Sequence, residues 1–299
     1  PSFKMPISPA LLALLQNDDI AFSNKEKTLE KLENFIAGGP RKLSVITDFD
    51  HTLTMAVDPN GHPLPVTHQV LSGILDIPDL ADPVNRAKFA SYSQQSSGNS
   101  QENRLKMLEA WWRKLHEDSI QAGLTRDQFE VRARLTPIQL RDHTSRFLKT
   151  LSNASIPTAI FSAGLADAIE FVLKDKMGEM PKQMEVIANR MKYDEQGVHT
   201  GWSSPLLHPF NKNATILSSS TYNVLNSIPH VLLLGDSLDD AKMACGLEKP
   251  DDSVLKIGFL NKKESELPKY LSSFDIVIMK SQSMELPWAV LDAVIGTWF

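Results

Sequence analysis

Hydrophobic residues gather in short, nearly continuous runs: Leu43 to Thr47, Ile156 to Phe161, Glu185 to Ala188, His230 to Leu234, Val254 to Ile257 and Asp275 to Met279. Such runs mark strands buried on both faces of a parallel sheet. Between several of them apolar positions recur every three or four residues. After Phe161, for example, Leu165, Ile169, Val172 and Leu173 form a stripe that predicts a core-facing helix. Strands alternating with helices predict an α/β fold with a doubly wound parallel sheet. From about Met55 to Thr136 no strand run occurs and helical spacing dominates, which predicts an inserted, mainly helical unit. Its clearest element runs from Glu102 to about Gln121, with Leu105, Leu108, Trp112 and Leu115 on one stripe and Trp111 beside it. The polar stretch from Ser91 to Gln101 reads as a loop. Before the first run lie two short helices, the second capped by Ser23 or Asn24 and stopped by Gly38-Gly39-Pro40. The expected division is a core of 1–54 and 138–299 with an insertion of 55–137.

Composition narrows the class. The chain has 299 residues, 42% hydrophobic and 22% charged, with a formal charge of −5, as expected of a soluble globular protein that does not bind a nucleic-acid polymer. Its single cysteine, Cys245, excludes an internal disulfide, and no Cys/His spacing suits structural zinc. The apolar run Ala10 to Leu15 is too short to span a membrane and lacks the flanks of a signal peptide. A monomeric, cytoplasmic protein without membrane contact is the expectation.

Chemistry concentrates at strand ends, where ligands bind in open α/β sheets. The first run is followed by Asp48-Phe49-Asp50-His51-Thr52. Residues two apart on extended chain point the same way, so both carboxylates can converge. Keeping two adjacent carboxylates ionised calls for a cation, and oxygen ligands suit Mg²⁺; an acidic turn after a strand is the plainer reading. The fourth run leads into Gly235-Asp236-Ser237-Leu238-Asp239-Asp240, where Asp239 and Asp240 could instead favour the N-terminal dipole of a following helix. Phe161-Ser162-Ala163-Gly164 precedes a predicted helix, so Ser162 is either an anion site at a helix N-terminus or an ordinary N-cap. Lys212 lies in the loop Pro209-Phe210-Asn211-Lys212-Asn213, and most lysines are simply solvated.

The order Asp-x-Asp, Ser, Lys, Gly-Asp-x-x-x-Asp resembles that of the haloacid dehalogenase (HAD) superfamily of phosphatases. The insertion occupies the place of a C1-type cap, so the resemblance implies a HAD-like core carrying a helical cap. It also implies Asp48 as nucleophile and Asp50 as general acid and base. Mg²⁺ would be held by Asp48, the Asp50 backbone carbonyl and Asp236. Ser162, Ala163 and Lys212 would hold phosphate, with Asp240 and Thr52 in support. Phrases from Asp48 to Thr54, Phe161 to Asp167, Asn211 to Asn213, Leu234 to Ser237 and Lys256 to Asn261 resemble the cytosolic 5′-nucleotidase III, or pyrimidine 5′-nucleotidase (UMPH-1), family. That likeness covers about residues 30 to 299.

It implies Mg²⁺-dependent hydrolysis of nucleoside 5′-monophosphates, with pyrimidine nucleotides or 7-methylguanosine monophosphate as substrates. A nucleobase presents a flat π surface on which Trp111 or Trp112 could stack, although either would fit the insertion's own core. The chain departs from the family where the base is read. Gln94 falls near a glutamate of animal relatives, and Leu115 replaces a serine, so Tyr92, Gln94 and Glu102 are candidates by location alone. Competing readings are a phosphatase for sugar phosphates or phosphoserine, a receiver-like module and a nucleotide-binding protein without catalysis.

Overall fold

All five residues of Leu43–Thr47 are buried, as an apolar run at the centre of a sheet requires. A computed structural model of the protein describes residues 7–72 and 101–296, the side chains of 101–108 excepted. The strands are β1 (Ile20–Phe22), β2 (Leu43–Thr47), β3 (Thr158–Leu165), β4 (Met184–Asn189), β5 (Met191–Tyr193), β6 (His199–Trp202), β7 (His230–Gly235), β8 (Val254–Phe259) and β9 (Ile276–Ile278). Seven form one sheet in the order β1-β9-β8-β7-β2-β3-β4. Every pairing in it is parallel except β1 with β9, which is antiparallel with Ile20 opposite Ile278. All six predicted runs became strands of this sheet. The added edge strand β1 is three residues long and half-buried, too brief to show a pattern.

Helices cover both faces. Lys25–Gly38 is capped by Asn24 rather than Ser23, its side chain accepting from Lys27 N, and stops where Gly39 takes φ 70°. The helix after β3 begins at Ala166 and ends at Met177, later than the pattern predicts. β3 runs on to Leu165, its register with β4 shifting between Phe161 and Leu165. Ser162 therefore lies within a strand end, and the expected placement at a helix N-terminus is corrected.

Between β2 and β3 the described elements are helices: Gln69–Ser72, Gln101–Gln121, Arg126–Leu135 and Thr144–Asn153. The predicted polar stretch and its Tyr92 and Gln94 lie outside the described residues, as does the side chain of Glu102. The chain leaves and returns side by side, with Met55 N donating to Gln139 O at 2.8 Å and Arg141 N to Leu53 O at 2.9 Å. The hairpin β5–β6 comes from far along the chain and packs on the inserted helices. His199 N donates to Leu124 O at 2.7 Å and Arg126 N to Gly197 O at 2.9 Å. Trp202 Nε1 reaches Ser119 Oγ at 3.2 Å, and its indole stacks on His116 with centroids 4.0 Å apart and planes 6° from parallel. Leu115 is wholly buried and belongs to this packing. No helix among the described residues is long and apolar enough to cross a membrane.

Burial, reinforced by neighbouring His199, pushes the His116 imidazole down to about 4. The ring is thus neutral in the fold at pH values where an unfolded chain, with the ordinary value near 6.5, is protonated. Stability from this site is complete above about pH 6.5 and is lost as pH falls towards 4, on the order of 3 kcal/mol at full titration. His116→Phe, which keeps the stack on Trp202, is expected to flatten the fall of the melting temperature between pH 6.5 and 4 in thermal denaturation.

Candidate active site

Three adjacent parallel strands set the site, because β2 lies between β3 and β7 and all three deliver their carboxyl ends to one place. Asp48 follows β2 directly, and its N–H donates to Leu234 O at 3.0 Å, locking it to β7. Asp236 follows β7 in the same way, and Asp240 returns to it four residues later. A Cβ on Gly235 would lie 2.3 Å from the Asp240 Cβ. Glycine there makes room for Asp240, rather than easing the turn itself.

Lys212 Nζ donates to Asp48 Oδ1 and Asp240 Oδ1, both at 2.6 Å. All three side chains are buried, Lys212 being only 4% exposed. Asp240 Oδ2 accepts from Asp236 N at 3.1 Å, Ser237 N at 2.9 Å and Ser237 Oγ at 2.8 Å. With both oxygens so engaged, Asp240 is a holder of Lys212 and of the β7 turn; Asp239 instead pairs with Lys242 on the surface. One carboxylate oxygen from each of Asp48, Asp236 and Asp240 lies within 4.8 Å of the others.

Three carboxylates against one ammonium leave an excess of two negative charges in a buried place. Burial raises the Asp48 carboxyl well above the ordinary range, Asp240 and Asp236 push the same way, and Lys212 opposes them. Burial and then Asp240 push Asp236 up to about 6. Burial alone would lower Lys212, but Asp240 and Asp48 outweigh it and keep the ammonium charged. The all-oxygen donor set fits a hard divalent cation of the Mg²⁺ type, with Asp48 and Asp236 as the carboxylates that have coordination to offer.

Asp50 turns away from this cluster. Its Oδ1 accepts from Thr67 N at 2.9 Å and its Oδ2 from Thr67 Oγ1 at 2.5 Å, and its carboxylate does not belong to the group of oxygens from Asp48, Asp236 and Asp240. Ser162 is buried, and its Oγ accepts from Gly164 N at 3.0 Å. The Ala163 carbonyl is taken by Asn189 Nδ2 at 2.9 Å. Thr52 is wholly buried, with no partner for its hydroxyl among the described residues. Trp111 and Trp112 pack edge-on, centroids 5.1 Å apart at 76°, and His68 meets both edges. Both indoles are largely buried, yet both join Asp48, Asp50, Ser162, Lys212 and Asp236 around one cavity of about 240 Å³.

Several residues touching the site escape sequence reasoning. Arg141 is 2% exposed and donates to His51 O at 2.6 Å, Asn261 Oδ1 at 2.8 Å and Ser281 O at 3.0 Å, its guanidinium 4.2 Å from the Phe259 ring centroid. Asn261 Nδ2 in turn donates to His51 O at 2.9 Å and Asp236 Oδ2 at 3.3 Å. Together they brace the turn at His51, whose φ of 62° is left-handed, and join it to Asp236. Tyr270 Oη donates to Asp236 O at 2.6 Å. Asn261 ends a phrase singled out above, a signal that could have found it. Arg141 and Thr67 sit in no motif.

Known proteins are similar to this chain over most of its length. At 29% identity over 287 residues, the chain is similar to 7-methylguanosine phosphate-specific 5′-nucleotidase A of Xenopus laevis, covering 95% of this chain and 98% of that one. It is 30% identical over 262 residues to the 7-methylguanosine phosphate-specific 5′-nucleotidase of Homo sapiens, covering 86% of each. Among solved structures, cytosolic 5′-nucleotidase IIIB bound to cytidine matches with a TM-score of 0.79 and 25% identity over 97% of both chains. The profile described as pyrimidine 5′-nucleotidase (UMPH-1) matches residues 51–295. With that match spanning most of its length, and with a HAD-like sheet presenting acidic, hydroxyl and lysine groups at its strand ends, the chain belongs to the pyrimidine 5′-nucleotidase (UMPH-1) family.

Proposed function

We propose that this protein hydrolyses nucleoside 5′-monophosphates to nucleoside and phosphate, with Asp48 as nucleophile and pyrimidine nucleotides or 7-methylguanosine monophosphate as substrates. The observation that carries the reading is the meeting of Asp48, Lys212 and Asp240 in hydrogen bonds, with an Asp236 carboxylate oxygen within 4.8 Å of those of Asp48 and Asp240, beside an aromatic-walled cavity. The substrate class follows from the names of the relatives and from the cytidine in the matched solved structure. A cytosolic location is supported by the similar putative cytosolic 5′-nucleotidase 3 of Caenorhabditis elegans.

Asp48 carboxylate oxygen attacks phosphorus as the bond from phosphorus to the 5′ oxygen breaks, and the Asp50 carboxyl gives its proton to that leaving oxygen. A water then attacks phosphorus of the phosphoaspartate, Asp50 takes the water's proton, and phosphate leaves with Asp48 restored. Lys212, held by its bond to Asp240, gives a further N–H of its ammonium to a phosphate oxygen, and Ser162 with the backbone at Ala163 holds the others. Mg²⁺, held by Asp48, Asp236 and the Asp50 carbonyl, would supply charge neutralisation that brings a dianionic ester into an acidic pocket. Asp240 keeps Lys212 in place; Thr52 supports the turn after Asp50. Trp111 and Trp112 form the apolar wall against which the nucleoside lies. Their edge-on packing leaves little face for stacking, so they contribute shape more than π overlap.

Asp48→Asn is expected to lower turnover by about a thousandfold or more while leaving the melting temperature within a few degrees, as measured by phosphate release and thermal denaturation. Appreciable residual Mg²⁺-dependent turnover would exclude Asp48 as nucleophile. Phosphate release from CMP, UMP and 7-methyl-GMP is expected to exceed that from AMP, GMP, a sugar phosphate and phosphoserine under one condition. A faster rate on the sugar phosphate or phosphoserine would replace the nucleotide reading. Chelation with EDTA is expected to stop turnover, with recovery on adding Mg²⁺ and a rise in melting temperature of the unreacted protein; activity persisting in EDTA would exclude the metal.

A further inference from the structure

We propose that Thr67 is the positioning residue for the Asp50 carboxylate; this inference rests on the reading of Asp50 as acid and base. Thr67 lies on the chain entering the insertion and is wholly buried. It meets Asp50 twice, backbone N–H to Oδ1 at 2.9 Å and hydroxyl to Oδ2 at 2.5 Å. Two donors from one residue, one on each oxygen, fix the plane of the carboxylate as well as its position.

The direction of the hydroxyl proton is set as well. Thr67 Oγ1 accepts from Leu165 N at 3.2 Å, at the end of β3. A hydroxyl has one proton and two lone pairs, so accepting from Leu165 directs the proton to Asp50. The peptide N–H that opens the helix after β3 thereby orients the acid and base through one threonine.

Gly164 supplies the clearance. A Cβ there would lie 1.9 Å from Thr67 Oγ1, 2.7 Å from Asp50 Oδ2 and 3.2 Å from Ser162 Oγ. Only a residue without a side chain lets Thr67 approach both Asp50 and Leu165. The glycine in Phe161-Ser162-Ala163-Gly164 is thus required by Thr67 rather than by phosphate, and the insertion's entry segment, not the core alone, aims the proton-transfer group.

The test is Thr67→Val, which keeps the backbone N–H and the side-chain volume but removes the hydroxyl, beside Thr67→Ser, which restores it. Turnover of CMP is expected to fall about 10- to 100-fold in T67V with KM changed less than about threefold, and to recover to within about threefold of the parent in T67S. Rapid-quench measurement then separates formation of the phosphoaspartate from its breakdown. The nitrophenolate of p-nitrophenyl phosphate departs without protonation, so T67V should form the phosphoenzyme from this ester at nearly the parent rate and break it down slowly, giving a burst. From CMP, formation itself should slow. Equal slowing of formation with both esters, a change confined to KM or melting temperature, or parent-like turnover would each overturn the role. Should T67V fail to fold, Thr67→Ala, which leaves room for a water, carries the same comparison. Asp50→Asn separates the two layers: if it retains CMP turnover, the acid–base reading itself fails, whereas its inactivity beside a parent-like T67V removes Thr67 alone.

Discussion

The structure turns on three carboxylates gathered around a single buried lysine. Asp48, Asp236 and Asp240 converge because β2 and β7 are parallel neighbours that end at the same level, and Lys212 is held between two of them at 2.6 Å. Such a cluster is unfavourable as it stands: desolvation disfavours every charge, and the carboxylates repel one another. A divalent cation and a phosphate ester, taken together, relieve what each alone would aggravate. The cation offsets the excess acid, and the ester's oxygens give Lys212 a second set of partners.

The scaffold around the cluster is accordingly built to hold charge still. Asp240 has both oxygens engaged, Asp236 is gripped at its carbonyl by Tyr270 and at its carboxylate by Asn261, and Arg141 ties Asn261 to the left-handed turn at His51. These bonds run from 2.6 to 3.3 Å in partly buried surroundings, where a polar group left without a partner is costly. Fixed dipoles and charges need no rearrangement when a substrate's charge shifts, which is the advantage of such a site in phosphoryl transfer. The insertion supplies the opposite quality. From His68 through Trp111, Trp112 and His116 it runs an aromatic chain of edges that ends in a face-to-face stack on Trp202 of the hairpin, and His68, Trp111 and Trp112 line the cavity.

Much of this was legible in the chain. Short apolar runs bounded by turn residues mark six of the sheet's seven strands as members of a parallel sheet, and helical spacing marks the stretch between β2 and β3. The acidic groups were equally plain, since each directly follows a strand, and spacing then places it at the sheet's ligand-binding edge. The hairpin β5–β6 was not legible: its strands are three and four residues long, half exposed, and draw their partners from residues some eighty positions earlier, as with Ser119 and His199. Ser162 was read at the end of its strand and at the N-terminus of the following helix; only the second part fails, because the shift in pairing that carries β3 on to Leu165 leaves no trace in hydrophobicity.

The sequence by itself determined the fold class and the helical stretch after β2, and showed which acidic and hydroxyl groups follow strands, because local periodicity encodes those directly. Only the tertiary structure decided how the groups divide their work. Whether Asp240 holds a lysine, where Asp50 points, and why residue 164 is glycine depend on Lys212, Thr67 and Leu165. These meet across gaps in the chain that no local pattern spans. Hydrogen bonds are short-ranged and directional, so partners distant in sequence become readable only once the sheet and insertion have brought them together.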